Sequence, residues 1–232
     1  MADMNEVTKM RLDRSTLANG AVDLLRKMIL NGALKPGERI NEVHLAKQMQ
    51  ISRGPIREAL LMLQTEGLVV HEINRGSTVS ILSPDDAQEI YTLRGLLEGE
   101  AAQLALAHLR DSHFAELERL LAQFQTFLEA RDLEQLSLCD IAFHRVIVDA
   151  AGHSRMALVH QQMDVLVGAM FMTISSKVPV RVGKVVQIHE VLVDALRTGD
   201  AKLVERTFRA HYTEALDELQ KQMRQVHGRT GM

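Results

Sequence analysis

From Ser83-Pro84 to the last residues, the chain is a succession of long apolar-periodic segments, broken only at Arg110-Asp111-Ser112, Arg131-Asp132, Gly152-His153-Ser154, Val178-Pro179-Val180 and Thr198-Gly199-Asp200. Several of these breaks pair a helix breaker with a new N-cap, so one helix ends where the next begins. The spacing predicts helices at about 84–108, 112–129, 132–150, 154–175, 184–198 and 200–226. Short connections between long helices make neighbours run antiparallel. The expected fold class is therefore mostly α, with a C-terminal antiparallel α-helical bundle. Aromatic residues make up 3% of the chain and Trp is absent, which leaves Leu, Val, Ala and Met to fill the core. That choice favours helices over sheets.

Ahead of Ser83 the pattern changes. The segment TLANGAVDLLRKMILN (16–31) sets Val22, Leu25, Met28 and Ile29 on one helical face, and Gly32 follows as a C-cap glycine. LKPGERI is turn chemistry. NEVHLAKQMQ (41–50) offers Asn41 as N-cap, an acid after it, and Val43, Leu45, Ala46 and Met49 for packing. Ser52 then caps a helix running to Thr65, and Glu66-Gly67 ends it. LVVHEINRGSTVSIL reads as strand, turn, strand, with the turn at Asn74-Arg75-Gly76. Two short helices followed by a hairpin make a winged helix-turn-helix. The expected organisation is a flexible arm (1–15), a winged head (16–82), a helical domain (83–226) and a tail (227–232).

Charge and cysteine content narrow the setting. The net charge is −3, split between +2 over residues 1–80 and −5 over residues 81–232. A nucleic-acid contact must then come from a local basic patch and not from a bulk basic surface. Cys139 is the sole cysteine, so no internal disulfide forms and a reducing compartment is expected. MADMNEVTKMRLDR carries no apolar run suited to a signal peptide, and the longest apolar run, Val165 to Met172, is too short to span a bilayer. The expectation is a soluble, cytoplasmic protein without a membrane partner.

The local basic patch is ISRGPIREAL (51–60). Arg53 and Arg57, four apart, share the N-terminal end of a helix, where the dipole already carries positive charge. Ser52 caps that end, Gly54 lets the backbone approach another surface, and Pro55 sits in the first turn, where a missing N–H costs nothing. Ile56, Leu60 and Leu63 form a different face, which packs inward. In a helix-turn-helix the second helix enters the major groove N-terminus first, and arginine there reads guanine or pairs with phosphate. DNA would supply the missing negative charge. The plainer alternative, a pair of solvated arginines with Arg57 held by a local acid, is outweighed by the cap, the glycine, the preceding short helix and the following hairpin.

With these segments in order, residues 16–82 resemble the DNA-binding domain of the GntR superfamily of bacterial transcription regulators; PGERINE, LAKQ, SRGPIREAL and TEGLV carry the resemblance. It implies a recognition helix at 52–65 with Arg53 and Arg57 on DNA. It also implies that the wing tip, Arg75-Gly76, reaches the minor groove. Gly54 departs from the threonine common before the proline, so one hydroxyl contact is expected to be missing.

The other candidate chemistry lies among ten histidines. Asp140 and His144 are four apart on one helix, and His189 and His211 fall on the last two helices. If these helices are neighbours, one carboxylate and three imidazoles converge, a set suited to Zn, Ni or Mn. The plainer reading has His144 and His189 buried and bonded to backbone or nearby acids. Residues 84–226 resemble the FCD ligand-binding domain of the FadR subgroup through IYTLRGLLEGEAAQLA, DIAFHRVIVDAAGHSRM and IHEVLVDALRTGDAKLVERTFRAH. The resemblance implies a divalent metal on Asp140, His144, His189 and His211, and an arginine, Arg94, facing the cavity to grip a ligand carboxylate. His153 stands where asparagine is common, which leaves the metal set untouched. From spacing alone, Arg94 and Glu98 make a surface salt bridge.

The function expected is a ligand-responsive transcriptional regulator. It is read as a repressor: a homodimer released from a palindromic double-stranded operator by a small carboxylate effector, with no catalytic residue. A metal-dependent enzyme is the alternative. HEVLV (189–193) begins like a zincin motif but has Val193 where the second histidine belongs, and no Glu-x-x-His motif occurs.

Overall fold

Asn41, Ser83 and Asp132 show how the chain starts its helices. Asn41 Oδ1 accepts from the His44 amide, Ser83 Oγ from Asp86 and Asp132 Oδ1 from Gln135, each satisfying one free N–H of a first turn. The computed structural model describes residues 4–72 and 75–229, with side chains for 16–72, 75–172, 178, 179 and 181–221. The chain divides into two compact units, Met1–Ile81 and Leu82–Met232.

The first unit holds α1 (Met4–Leu30), α2 (Glu42–Gln48), α3 (Arg53–Thr65), β1 (Val69–Glu72) and β2 (Gly76–Val79). The strands pair antiparallel, Val69 against Val79 and Glu72 against Gly76, and form the wing. Arg75 stands in its turn and Gly76 opens β2; Asn74 lies outside the described residues. Leu25, Ile56, Ala59, Leu63, Leu68, Val69 and Val79 make the core, each at most 2% exposed. Ile56, Leu60 and Leu63 face inward as their spacing requires. Three expectations are corrected. Helix α1 starts at Met4 and not near 16, because nothing in MNEVTKMRLDRS breaks a helix. Val43 is 59% exposed, since it lies two residues, about 200°, from Leu45. Ser52 sits at the N-cap of α3 with extended backbone, but its side chain makes no cap bond.

The second unit holds α4 (Pro84–Ala105), α5 (Asp111–Ala130), α6 (Leu133–Ala150), α7 (Ser154–Lys177), α8 (Pro179–Val182), α9 (Val185–Thr198) and α10 (Ala201–Arg229). Their bounds follow the sequence reading within a few residues, apart from α8. Val178-Pro179-Val180 was expected only to break the chain, yet Pro179 opens a four-residue helix, because proline is compatible with a first turn. Helix α4 lies along α10 over much of its length. Gly95 and Gly99 allow the approach: a Cβ on Gly95 would stand 3.6 Å from the Arg209 carbonyl oxygen, and one on Gly99 would stand 3.0 Å from Arg209 Cγ. Two apolar clusters fill the bundle. Phe124, Phe143, Leu192 and Phe208 belong to one; Ile90, Tyr91, Met170 and Tyr212 belong to the other. Among the described residues, no helix is long and apolar enough to cross a membrane.

Candidate metal centre and nucleic-acid interface

A polar cluster lies between the two apolar ones. Helix α6 contributes Asp140 and His144, α9 His189 and α10 His211. The ligand atoms of His144, His189 and His211 all lie within 4.8 Å of one another. Asp140 joins them through Oδ1, 3.1 Å from His189 Nε2. The four residues singled out from spacing are thus brought together. Phe124 packs tilted against His189 at 4.6 Å between ring centres, Phe143 meets it edge-on at 4.8 Å, and Tyr212 stands 5.6 Å from His144.

The hydrogen bonds fix which nitrogens face inward. His189 Nδ1 donates to the Val185 carbonyl at 2.7 Å, and His144 Nδ1 meets Glu98 Oε2 at 2.6 Å. His144 Nδ1 makes no well-aligned hydrogen bond, but its close ion-pair approach to Glu98 favours the proton on that nitrogen as well, so each Nε2 presents a lone pair in the neutral ring. The two Nε2 atoms nevertheless face each other at 3.3 Å, and Asp140 faces one of them. Lone pairs opposed at that distance need a positive species between them, either a shared proton or a cation. The donor set fits a divalent transition metal: imidazole nitrogens and a carboxylate, with Glu98 as the outer carboxylate that orients His144. His211 Nδ1 is buried without a hydrogen-bond partner.

The electrostatics follow from burial and neighbours. Burial opposes the charge on Glu98, but His144 and Arg94 hold its carboxyl well below the usual range. Burial also opposes the His144 charge, and Glu98 outweighs it, so His144 titrates above an ordinary histidine. Burial, then the nearby His189 and His144, push His211 well below the ordinary value. Asp140 is lowered despite burial by the neighbouring imidazoles, His189 before His144. Without a metal, positive charge therefore favours His144 over His211.

Arg94 and Glu98 are not a surface pair. Both side chains are at most 1% exposed and meet at 2.8 Å. Burial and not solvent governs this pair, because α10 and α7 close over it. Arg94 also reaches Asp164 at 3.0 Å and the His160 carbonyl at 3.0 Å. Glu98 Oε1 further accepts from Tyr212 at 2.6 Å and meets His160 Nε2 at 2.9 Å. Arg145, on the neighbouring face of α6, pairs with Asp164. Beside the histidines opens a cavity whose walls include Tyr91, Asp140, Arg181, His189, His211 and Tyr212. Arg94 is not among its lining residues; the arginine in the wall is Arg181, from α8. His160, Asp164 and Arg181 escaped the sequence reading, because each lies dozens of residues from the group it serves.

In the first unit, Arg53 and Arg57 both extend from the start of α3, with side chains 54% and 61% exposed. Glu42, in the first turn of α2, accepts from Arg57 Nε at 2.9 Å and from Arg53 Nη2 at 3.2 Å. Those arginines lower the Glu42 carboxyl. The crowded positive charge is thus partly met within the chain, by an acid whose sequence position suggested only a first-turn preference. Gly54 has open space where a Cβ would stand, with Ser52 Oγ 3.9 Å away as its nearest neighbour. At the wing, Arg75 is 81% exposed and paired with Glu72 at 3.1 Å, and Gly76 has φ +82°, the left-handed region that glycine enters freely.

Comparison with known proteins agrees with this architecture. Residues 17–79 match the family described as bacterial regulatory proteins, gntR family, and residues 89–214 match the FCD domain. A probable D-xylose utilization operon transcriptional repressor of Paenarthrobacter nicotinovorans is 29% identical over 206 residues, covering 89% of this chain and 90% of that one. The uncharacterized HTH-type transcriptional regulator YdhC of Bacillus subtilis is 38% identical over 133 residues. That match covers 56% of this chain and 58% of the relative, little more than half its length. Among solved structures, E. coli McbR/YncC superposes with a TM-score of 0.75 at 25% identity, covering 89% of this chain and 98% of that one. The families and relatives matched are regulators and not enzymes. With a winged helix-turn-helix followed in sequence by an FCD domain, the chain belongs to the GntR family and is a DNA-binding regulator of transcription.

Proposed function

We propose that the protein is a homodimeric repressor, released from a two-fold operator when a small organic acid binds beside a divalent metal. Residues 16–82 act as the DNA head and 83–226 as the effector domain. Asp140, His144, His189 and His211 hold the metal. The observation that carries this is the convergence of the two Nε2 atoms at 3.3 Å beside Asp140, with His189 Nδ1 bonded to the Val185 carbonyl and His144 Nδ1 paired with Glu98. When bound, the metal supplies a Lewis-acid anchor for a carboxylate oxygen. Arg94 acts one layer back, holding Glu98, which in turn orients His144.

On the head, Arg53 and Arg57 meet bases or phosphates, with Ser52 and Gly54 allowing close approach and Arg75-Gly76 entering the minor groove. One recognition helix makes few contacts, so two heads are required. Support for a second copy comes from Leu93, Leu96 and Leu104, 44%, 50% and 37% exposed along one side of α4. The repressor reading is supported by the printed role of the P. nicotinovorans relative.

Purified full-length protein is expected to carry close to one equivalent of Zn²⁺, Ni²⁺ or Mn²⁺, and the Asp140→Ala variant much less. Gel shifts on a duplex selected from a random pool are expected to show specific binding that Arg53→Glu with Arg57→Glu abolishes. Equal metal content in both proteins removes the metal assignment, and specific binding that survives double charge reversal removes the DNA assignment.

A further inference from the structure

The walls of the cavity beside the histidines mix polar and apolar side chains. Asp140, His189 and His211 line it, and Arg181 contributes a guanidinium. Val167, Phe171, Val185 and Ile188 supply much of the remainder. The cavity measures about 60 Å³. One water position takes roughly 10–15 Å³ by the same measure, so there is room for about four to six heavy atoms. This is the size of acetate to butyrate, not of a fatty acyl chain.

The two arginines near the site differ in their access to the cavity. Arg94 is fully buried against Glu98 and Asp164, and although its Nη2 has no hydrogen-bond partner it does not line the cavity. Arg181 has a side chain 10% exposed, donates through Nη2 to the His211 carbonyl at 3.0 Å, and stands 3.4 Å from Glu218 through Nη1. Glu218 is 44% exposed, so its hold on Arg181 is loose and solvent-screened. A ligand carboxylate arriving inside the cavity competes with it on better terms, because a fork of N–H donors binds a carboxylate more strongly away from water. A hydroxyl further along the ligand would meet a lining made mostly of valine, isoleucine, phenylalanine and alanine, with two tyrosines, of which Tyr212 already gives its hydroxyl to Glu98. An unpaired buried hydroxyl weakens binding on the order of tenfold.

From this we infer that the cavity takes a small monocarboxylate with an apolar tail, and that Arg181 binds the carboxylate. This deepens the effector reading above and rests on it. Arg181 also explains how occupancy is felt by the bundle. It ties α8 to α10 at the backbone of His211, the residue that lends its imidazole to the metal cluster. A ligand that recruits Arg181 thus acts on α8 and on the cluster together.

Calorimetry on the Zn²⁺-loaded full chain tests this with butyrate, butyramide and 3,4-dihydroxybutyrate. Butyrate is expected to bind, butyramide to fail, and the dihydroxy acid to bind at least tenfold more weakly. Arg181→Gln is expected to lose at least tenfold in butyrate affinity while keeping its zinc content and a cooperative thermal unfolding transition. Glu218→Gln, which removes the competing acid, is expected to hold or tighten butyrate. The inference is overturned if Arg181→Gln keeps full affinity, if the dihydroxy acid binds as well as butyrate, or if zinc-loaded wild type ignores butyrate. A wild type that takes up no zinc instead refutes the metal centre, so the two failures are told apart by metal analysis.

Discussion

Glu98 lies at the centre of the polar cluster. Arg94, His144, His160 and Tyr212 all converge on its two oxygens, and the surroundings exclude water. Removing one member of a buried charge network costs about 3–5 kcal/mol, because the partners left behind are stranded without solvent. Glu98→Ala is therefore expected to lower unfolding stability by that amount in urea titration, and Glu98→Gln by less, since the amide keeps one acceptor oxygen. A change below about 1 kcal/mol for Glu98→Ala would mean that water reaches the network after all. The contrast with Asp140 and His144 shows what was legible at this scale. Their i,i+4 spacing can be read from a string of letters. The convergence of His160 and Asp164 on a pair more than sixty positions earlier depends on how α7 packs beside α4, and no local pattern records it. Arg94 and Glu98 have the same spacing as Asp140 and His144 and read as a surface pair, because spacing says which residues share a face and not which face is covered.

Helix boundaries were legible where they are written in local chemistry. At Ser83-Pro84 the Ser83 hydroxyl accepts from the Asp86 amide, and the Asp86 carboxylate accepts from the Ser83 amide and hydroxyl. These bonds lower the Asp86 carboxyl below its ordinary value. A carboxyl depressed in the folded state stabilises fully above its unfolded value, about 3.9, and the contribution fades as pH falls through the folded value. Ser83→Ala is expected to cost about 0.5–2 kcal/mol at neutral pH. The difference between variant and wild type should shrink below about pH 4, measured by urea unfolding across an acid series. A difference that persists unchanged at pH 2 would assign the loss to something other than the cap. Where two helices touch, the information is not local. Gly95 and Gly99 read as weak points in a helix until α10 is seen lying against them. Gly95→Leu is expected to destabilise by about 1–3 kcal/mol through overpacking against the Arg209 backbone, despite leucine's better helix propensity, and thermal unfolding measures the sign. The short α8 escaped for a related reason: four residues show no period, and Pro179 signals a break and a helix start equally well.

At the scale of the molecule, the chain carries two compact units with separate chemistries, a head whose exposed arginines are held by Glu42 and a bundle with a largely apolar cavity beside a histidine cluster. A regulator is useful only if occupancy of one alters the other, and that coupling is a free energy shared by both sites. An effector that loosens operator binding by a given factor must be loosened by operator DNA by the same factor, whatever path joins the units. Couplings of this kind amount to about 1–3 kcal/mol, or roughly 5–150-fold. The expected outcome is that butyrate weakens binding to the selected duplex by a factor in that range. Saturating duplex should then weaken butyrate binding to zinc-loaded protein by an equal factor, each measured by titration at one salt concentration, because phosphate contacts make DNA affinity steeply salt-dependent. Removing the metal with a chelator should abolish both effects together, since the ligand then loses an anchor within the cluster. If butyrate weakens the duplex while duplex leaves butyrate untouched, the two do not act on one folded equilibrium, and the release from DNA must come from butyrate bound at another place, the head included.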